Sequence, residues 1–129
     1  MISFNRRTRI FVSKVPTDMR ASYDTLFSKV KSVLNQDPWS GHLFVFMNSR
    51  RTSIKCLYYD GTGLVIVAKR MEEGLFSRIN PMLGEIVLTA AEFVLFFEGA
   101  NLEKRFIESP REIKKSSFPM SQELPVTIY

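Results

Sequence analysis

His42 and Cys56 are the only imidazole and the only thiol in the chain of 129 residues. A metal held by His and Cys needs several such ligands, so that chemistry is excluded, and one cysteine also excludes an internal disulfide framework. His42 follows Ser40-Gly41 at the start of an apolar run, where a histidine commonly just hydrogen-bonds the turn. No Ser/Asp constellation at a nucleophile elbow accompanies it. Cys56 stands inside an apolar stretch and reads as a small buried hydrophobe. Metal-dependent phosphodiester cleavage needs carboxylates converging on Mg²⁺, usually beside a lysine. Asp18, Asp37, Asp60 and Glu72 are the candidates, but the three aspartates occupy cap and turn contexts where the backbone alone explains them. Glu112-Ile113-Lys114 has the Glu-x-Lys pattern of one nuclease class, yet it lies in a stretch without periodicity. The residues read as those of a non-catalytic protein without cofactor or metal.

The basic side chains offer different chemistry. Eighteen Lys and Arg against thirteen Asp and Glu give a formal charge of +5, a lean toward polyanionic partners. Arg6, Arg7 and Arg9 form an N-terminal arm, Arg50 and Arg51 fall at an expected hairpin tip, and Lys69-Arg70 end the next strand. An arm beside a two-stranded ribbon can grip phosphates and lay the hairpin along a groove, and Arg suits both phosphate and guanine. Arg20 and Lys55 complete the set of candidate DNA contacts. Lys55, Lys69 and Arg70 have a structural alternative: alternation turns Lys55 away from Ile54 and Cys56, and Lys69-Arg70 can pair with Asp60, Glu72 or Glu73. Eleven Phe, four Tyr and one Trp also favour contact with a partner. Trp39, Phe96 and Phe97 are the candidate partner-binding residues, with Trp39 either an anchor in a partner's pocket or the lid of its own core.

These residues need elements to place them. At 45% hydrophobic and 24% charged, the chain is a folded domain rather than a disordered one, with room for a single core. No run reaches the roughly 18 to 20 apolar residues that cross a bilayer, and Ile10 to Val12 is far short of the roughly 7 to 15 of a signal peptide. A cytoplasmic protein is the expectation. Arg9 to Lys14 predicts a strand ended before Pro16, then a helix over Ala21 to Asn35 capped by Thr17 or Asp18. Tyr23, Leu26, Phe27, Val30, Val33 and Leu34 give that helix one apolar face. Leu43 to Met47, Ile54 to Tyr59 and Leu64 to Ala68 predict an antiparallel meander with a turn at Asp60-Gly61-Thr62-Gly63. Leu75 to Ile79 and Glu85 to Leu88 read as fourth and fifth strands. Thr89-Ala90-Ala91-Glu92 is a capping box opening a helix over Ala90 to Glu98, closed by Gly99 in a left-handed conformation. Its continuous Phe93 to Phe97 demands burial on both faces or a partner on the outer one.

From Thr17 onward the chain also resembles a known family. The resemblance rests on Thr17-Asp18-Met19-Arg20, on Asp37-Pro38-Trp39-Ser40-Gly41-His42-Leu43-Phe44-Val45-Phe46, and on Arg50-Arg51 with Ile54-Lys55. It continues in Asp60-Gly61 with Gly63, Lys69-Arg70 with Glu72, Gly74 and Phe76, and Leu88-Thr89 with Glu92, Glu98 and Gly99. In that order and spacing, across residues 9 to 99, they are similar to the TnpB-type accessory proteins of bacterial insertion sequences that encode a separate DDE transposase. Departures are Ala21-Ser22 where the family usually has a basic residue and Gly, Tyr59 where it often has Trp, and Met47-Asn48-Ser49 where a basic residue is common. The resemblance implies an accessory role in transposition and brings no catalytic residues. Within that role the basic hairpin and arm point to DNA, at element ends or target, and the aromatic surface to the DDE transposase of the same element; a homodimer is also in view, and a membrane is not.

The expectation is thus an α+β domain over residues 1 to 99 with a basic N-terminal arm, and a partly ordered tail over residues 100 to 129. Its curved antiparallel sheet of four to six strands carries one main packed helix, with a second short helix at the sheet's edge or against a partner. Glu123 to Tyr129 is read as an added edge strand. The leading function is DNA binding through hairpin and arm; the other reading is an adaptor that docks on the transposase with little DNA contact.

Overall fold

The computed structural model describes residues 5–80 and 82–100. The tail, its Glu112-Ile113-Lys114 pattern and the Glu123 to Tyr129 strand lie outside them. The α+β expectation holds. Strands β1 (Ile10–Val12), β2 (Leu43–Met47), β3 (Ser53–Tyr59), β4 (Leu64–Arg70) and β5 (Ile86–Leu88) form one sheet in the order β4-β3-β2-β1-β5. Helix α1 (Tyr23–Ser32) lies between β1 and β2, and α2 (Ala90–Phe97) follows β5.

The meander β2-β3-β4 is antiparallel as expected, and β5 runs antiparallel to β1. The sheet is nevertheless mixed, because β1 lies parallel to β2, with Ile10 opposite Leu43 and Val12 opposite Val45. A parallel neighbour needs a crossover, and α1 supplies it. The segment Leu75 to Ile79 is not a strand. Its Phe76 N–H donates to the Arg51 carbonyl at the hairpin tip (2.8 Å), and its ring goes fully into the core.

Both faces of the sheet are covered, which explains why every residue of β2 is buried where alternation would leave half of them wet. Phe11, Phe44, Phe46 and Leu57 meet Ala21, Leu26 and Val30 under α1. On the opposite face Ile10, Val12, Leu43, Val45, Ile54 and Cys56 meet Phe76 and the α2 residues Phe93 and Phe96. Helix α2 therefore packs over a sheet face rather than at an edge. Its capping box is present: Thr89 Oγ1 accepts the Glu92 N–H (3.0 Å) and a Glu92 carboxylate oxygen accepts the Thr89 N–H (2.9 Å). Gly99 ends it at φ +94°, a conformation that favours glycine.

The start of α1 differs from expectation. Ser22 holds the N-cap position without a side-chain hydrogen bond, and neither Thr17 nor Asp18 caps the helix. The Thr17 N–H instead continues along the sheet to the Met47 carbonyl (2.8 Å). Asp18 turns its carboxylate to the Arg20 backbone N–H (2.8 Å) and guanidinium.

Candidate nucleic-acid interface

The parallel β1–β2 pair fixes where the basic residues lie. Because β1 and β2 point the same way, the arm before β1 sits at the start of β2, while the β2–β3 hairpin lies at its far end. Five residues separate Leu43, opposite Ile10, from the tip at Asn48, about 16 Å at the rise of an extended strand. Arm and hairpin are thus at opposite ends of the sheet, not side by side. At the arm end the Arg9 N–H donates to His42 Nδ1 (3.0 Å) and the Arg9 carbonyl accepts the Leu43 N–H (3.0 Å). His42 is therefore a structural acceptor, with its pKa held below the usual imidazole value by burial and by the nearby Arg9 charge.

The hairpin end is built from three segments. Asn48 organises the tip: its Oδ1 accepts the N–H groups of Thr52 (2.9 Å) and Ser53 (3.0 Å), while its Nδ2 donates to Thr52 Oγ1 (2.8 Å). Arg51 adopts φ +61° there, and its guanidinium donates to the Phe76 carbonyl (3.0 Å). That bond, with Phe76 N–H to Arg51 O, ties the tip to residues 70–78. The third segment, Thr17 to Ala21, is held by the Met47 carbonyl and by Lys55, whose Nζ donates to the Ala21 carbonyl (2.8 Å).

Arg20, Arg50, Arg51 and Arg70 consequently share one end of the molecule, and exposed Arg78 follows two residues after Phe76, which is bonded to the tip. Arg50 is exposed and has no partner among the described residues. Arg20 pairs with Asp18 at 2.8 Å and Arg70 with Glu72 at 3.4 Å, both in solvent. The guanidinium of Arg20 lowers the Asp18 pKa to about 2, chiefly through the side-chain hydrogen bond. Exposed pairs of this kind contribute little to stability, so either guanidinium can exchange carboxylate for phosphate at small cost.

Two of the basic candidates have structural duties instead. Lys55 is half-buried against α1, bonded to Ala21. Lys69 sits on the α2 face, where Nζ donates to the Phe97 carbonyl (2.7 Å) and lies 4.5 Å from the Phe97 ring centroid. A cation on a terminal carbonyl complements the negative end of the helix. Arg78 had no sequence signal of its own, since Leu75 to Ile79 reads as a strand and only the fold brings it to the tip.

The aromatic candidates separate similarly. Phe96 is 1% exposed and stacks on Phe76 (centroids 5.6 Å), so core packing removes it from any partner; Phe97 is half-buried between Phe93 and Lys69. The outer face of α2 shows Val94 and Leu95 instead. Trp39 is 55% exposed, edge-on to both Phe27 (5.0 Å) and Tyr59 (5.1 Å), and borders an open groove lined by Phe27, Lys31, Gln36, Asp37 and Pro38. Burial pushes the Cys56 thiol up to about 12, which makes it unreactive as a nucleophile. Among the described residues no three His, Cys, Asp or Glu side chains cluster as metal ligands, and no helix is long and apolar enough to cross a membrane.

Comparison with known proteins agrees with the resemblance read from the residues. Residues 8–106 match the model of a family described as IS66 Orf2-like protein. The chain is 30% identical over 116 residues to the uncharacterized protein y4jC of Sinorhizobium fredii (strain NBRC 101917 / NGR234), covering 88% of this chain and 99% of that protein. It is 28% identical over 99 residues to the uncharacterized protein y4hO of the same strain, covering 77% and 86%. No solved structure matches.

Proposed function

Because the chain belongs to the family of IS66 Orf2-like proteins, which supports an accessory role in transposition, we propose that it serves that role by binding DNA through the hairpin end of its sheet. One observation carries this reading: Arg20, Arg50, Arg51 and Arg70, scattered through the sequence, are brought to one end by the bond of Thr17 to Met47, the β2–β3 hairpin and the pairing of Ser53 with Arg70. Arg50 stands free for a phosphate or a base edge, Arg51 is held rigid beside it, and Arg20 and Arg70 flank them on exchangeable exposed pairs. The arm with Arg6, Arg7 and Arg9 lies too far away to share these phosphates and would extend the contact along the duplex. The test is a fluorescence-anisotropy titration against labelled duplex at two salt concentrations, with Arg50→Ala alongside. Affinity that falls with salt and is weakened by Arg50→Ala supports the reading; absence of binding at low salt refutes it.

A second reading rests on Trp39, a large half-exposed ring beside a groove, as the anchor for the DDE transposase. Binding of purified transposase that survives high salt and is lost in Trp39→Ala would favour it over DNA contact.

A further inference from the structure

The sheet has two edges of very different character. β5 is three residues long and flanked by α2, whereas β4 runs for seven residues, Leu64–Arg70, and among the described residues has a strand, β3, on one side only. The ladder continues beyond both ends of β4: the Asp60 N–H donates to the Gly63 carbonyl (3.0 Å) and the Met71 N–H to the Thr52 carbonyl (2.8 Å). In an antiparallel pair the bonded residues alternate, so Gly63, Val65, Val67, Lys69 and Met71 face β3. Leu64, Ile66, Ala68 and Arg70 therefore turn their N–H and C=O groups outward, and these have no partner among the described residues.

Proteins that keep such an edge unpaired protect it with proline, a bulge, an inward-pointing charge or a very short strand. β4 has one such device, the half-buried Lys69 near its C-terminal end, but none over Leu64 to Ala68, where its register with β3 is one-for-one and its side chains are Leu, Val, Ile, Val and Ala. Such a segment is a template for another strand.

We propose that β4 pairs antiparallel with β4 of a second copy of this chain, joining two five-stranded sheets across a two-fold axis at Val67. The outward groups select this register, because it alone uses all four. Leu64 then bonds to Arg70 of the second copy, and Ile66 to Ala68 of the second copy, each exchange made twice by symmetry. The side chains fit this arrangement: bulky Ile66 lies beside small Ala68, Val67 meets Val67, and the two Lys69-Arg70 pairs stand at opposite ends, about 17 Å apart along the strands. A parallel pairing would set those charges side by side. The self-complementarity of size and charge points to a second copy rather than an unrelated strand. The two hairpin ends then lie at opposite ends of the joined sheet, and the dimer forms whether or not DNA binds.

Sedimentation equilibrium of the full chain, from low micromolar to submillimolar concentration and without DNA, tests this directly. The mass should double with concentration. Ala68→Pro removes only an outward N–H, which an edge strand tolerates, and should raise the dimer dissociation constant roughly tenfold or more while leaving the circular dichroism spectrum unchanged. Should that variant fold poorly, Ala68→Lys places a charge against Ile66 of the second copy from an exposed position and should weaken the dimer likewise. A monomer at every concentration overturns the proposal, as does a dimer that a folded Ala68 variant leaves intact.

Discussion

Arg51 separates the structural from the DNA-binding content of the hairpin tip, and its two simplest substitutions should fall in an unusual order. Arg51→Ala removes the half-exposed guanidinium bond to the Phe76 carbonyl, which contributes about 1–2 kcal/mol. Alanine still bears the left-handed backbone at φ +61°. Arg51→Gly loses the same bond but escapes that conformational cost of about 1–2 kcal/mol, against about 0.5–1 kcal/mol for glycine's greater freedom in the unfolded chain. Alanine should therefore destabilise by about 1–2 kcal/mol and glycine by about 1 kcal/mol or less, as read from the urea midpoint at constant slope. Arg50→Ala, an exposed change with nothing to lose, should stay within about 0.5 kcal/mol of the parent. Glycine as destabilising as alanine would refute the backbone argument. A parent-like Arg51→Ala would refute the tether between the tip and Phe76.

Other predictions follow from particular contacts. Phe96→Ala should destabilise by about 3–5 kcal/mol in a denaturant melt, whereas its exposed neighbour Leu95→Ala should cost under about 1 kcal/mol. Lys55→Met should cost about 1–2 kcal/mol because it strands the Ala21 carbonyl, yet leave the salt dependence of DNA binding unchanged; a slope reduced by about one would make Lys55 a phosphate contact. The folded pKa of His42 is lowered, so the unfolded state binds its proton first as pH falls. Its stabilising contribution is fully present above about pH 6.5 and declines as pH falls from there toward the folded pKa. Protonation turns Nδ1 from an acceptor of the Arg9 N–H into a donor. Chemical denaturation from pH 5 to 7.5 should show this decline in the parent and a flatter profile in His42→Ala.

Local signals in the sequence carried much of the fold. The capping box at Thr89 and the left-handed Gly99 follow from backbone chemistry within a few residues, and the meander from turn residues and apolar runs. What the sequence did not yield depends on distant partners. The parallel pairing of β1 with β2 is decided by α1 packing back on the sheet, and it separates the arm from the hairpin. Leu75 to Ile79 has strand-like composition, but Phe76 leaves the extended pattern to fill the core beneath α2. Lys55 and Lys69 look like free cations in one dimension; each is committed to a carbonyl that only the tertiary fold brings near. Arg50-Arg51 was legible as a pair, yet only the left-handed backbone and the Phe76 bond distinguish the rigid member from the free one.

On the proposed function, DNA meets the hairpin end. Backbone amide resonances of the labelled full chain, followed during titration with duplex DNA, test it most directly. Perturbations should concentrate at Arg20, at Ser49 to Thr52, and at Arg70 and Arg78, and should be reversed by added salt. Perturbations confined to the Trp39 groove or the α2 surface, with the hairpin unmoved, would contradict it.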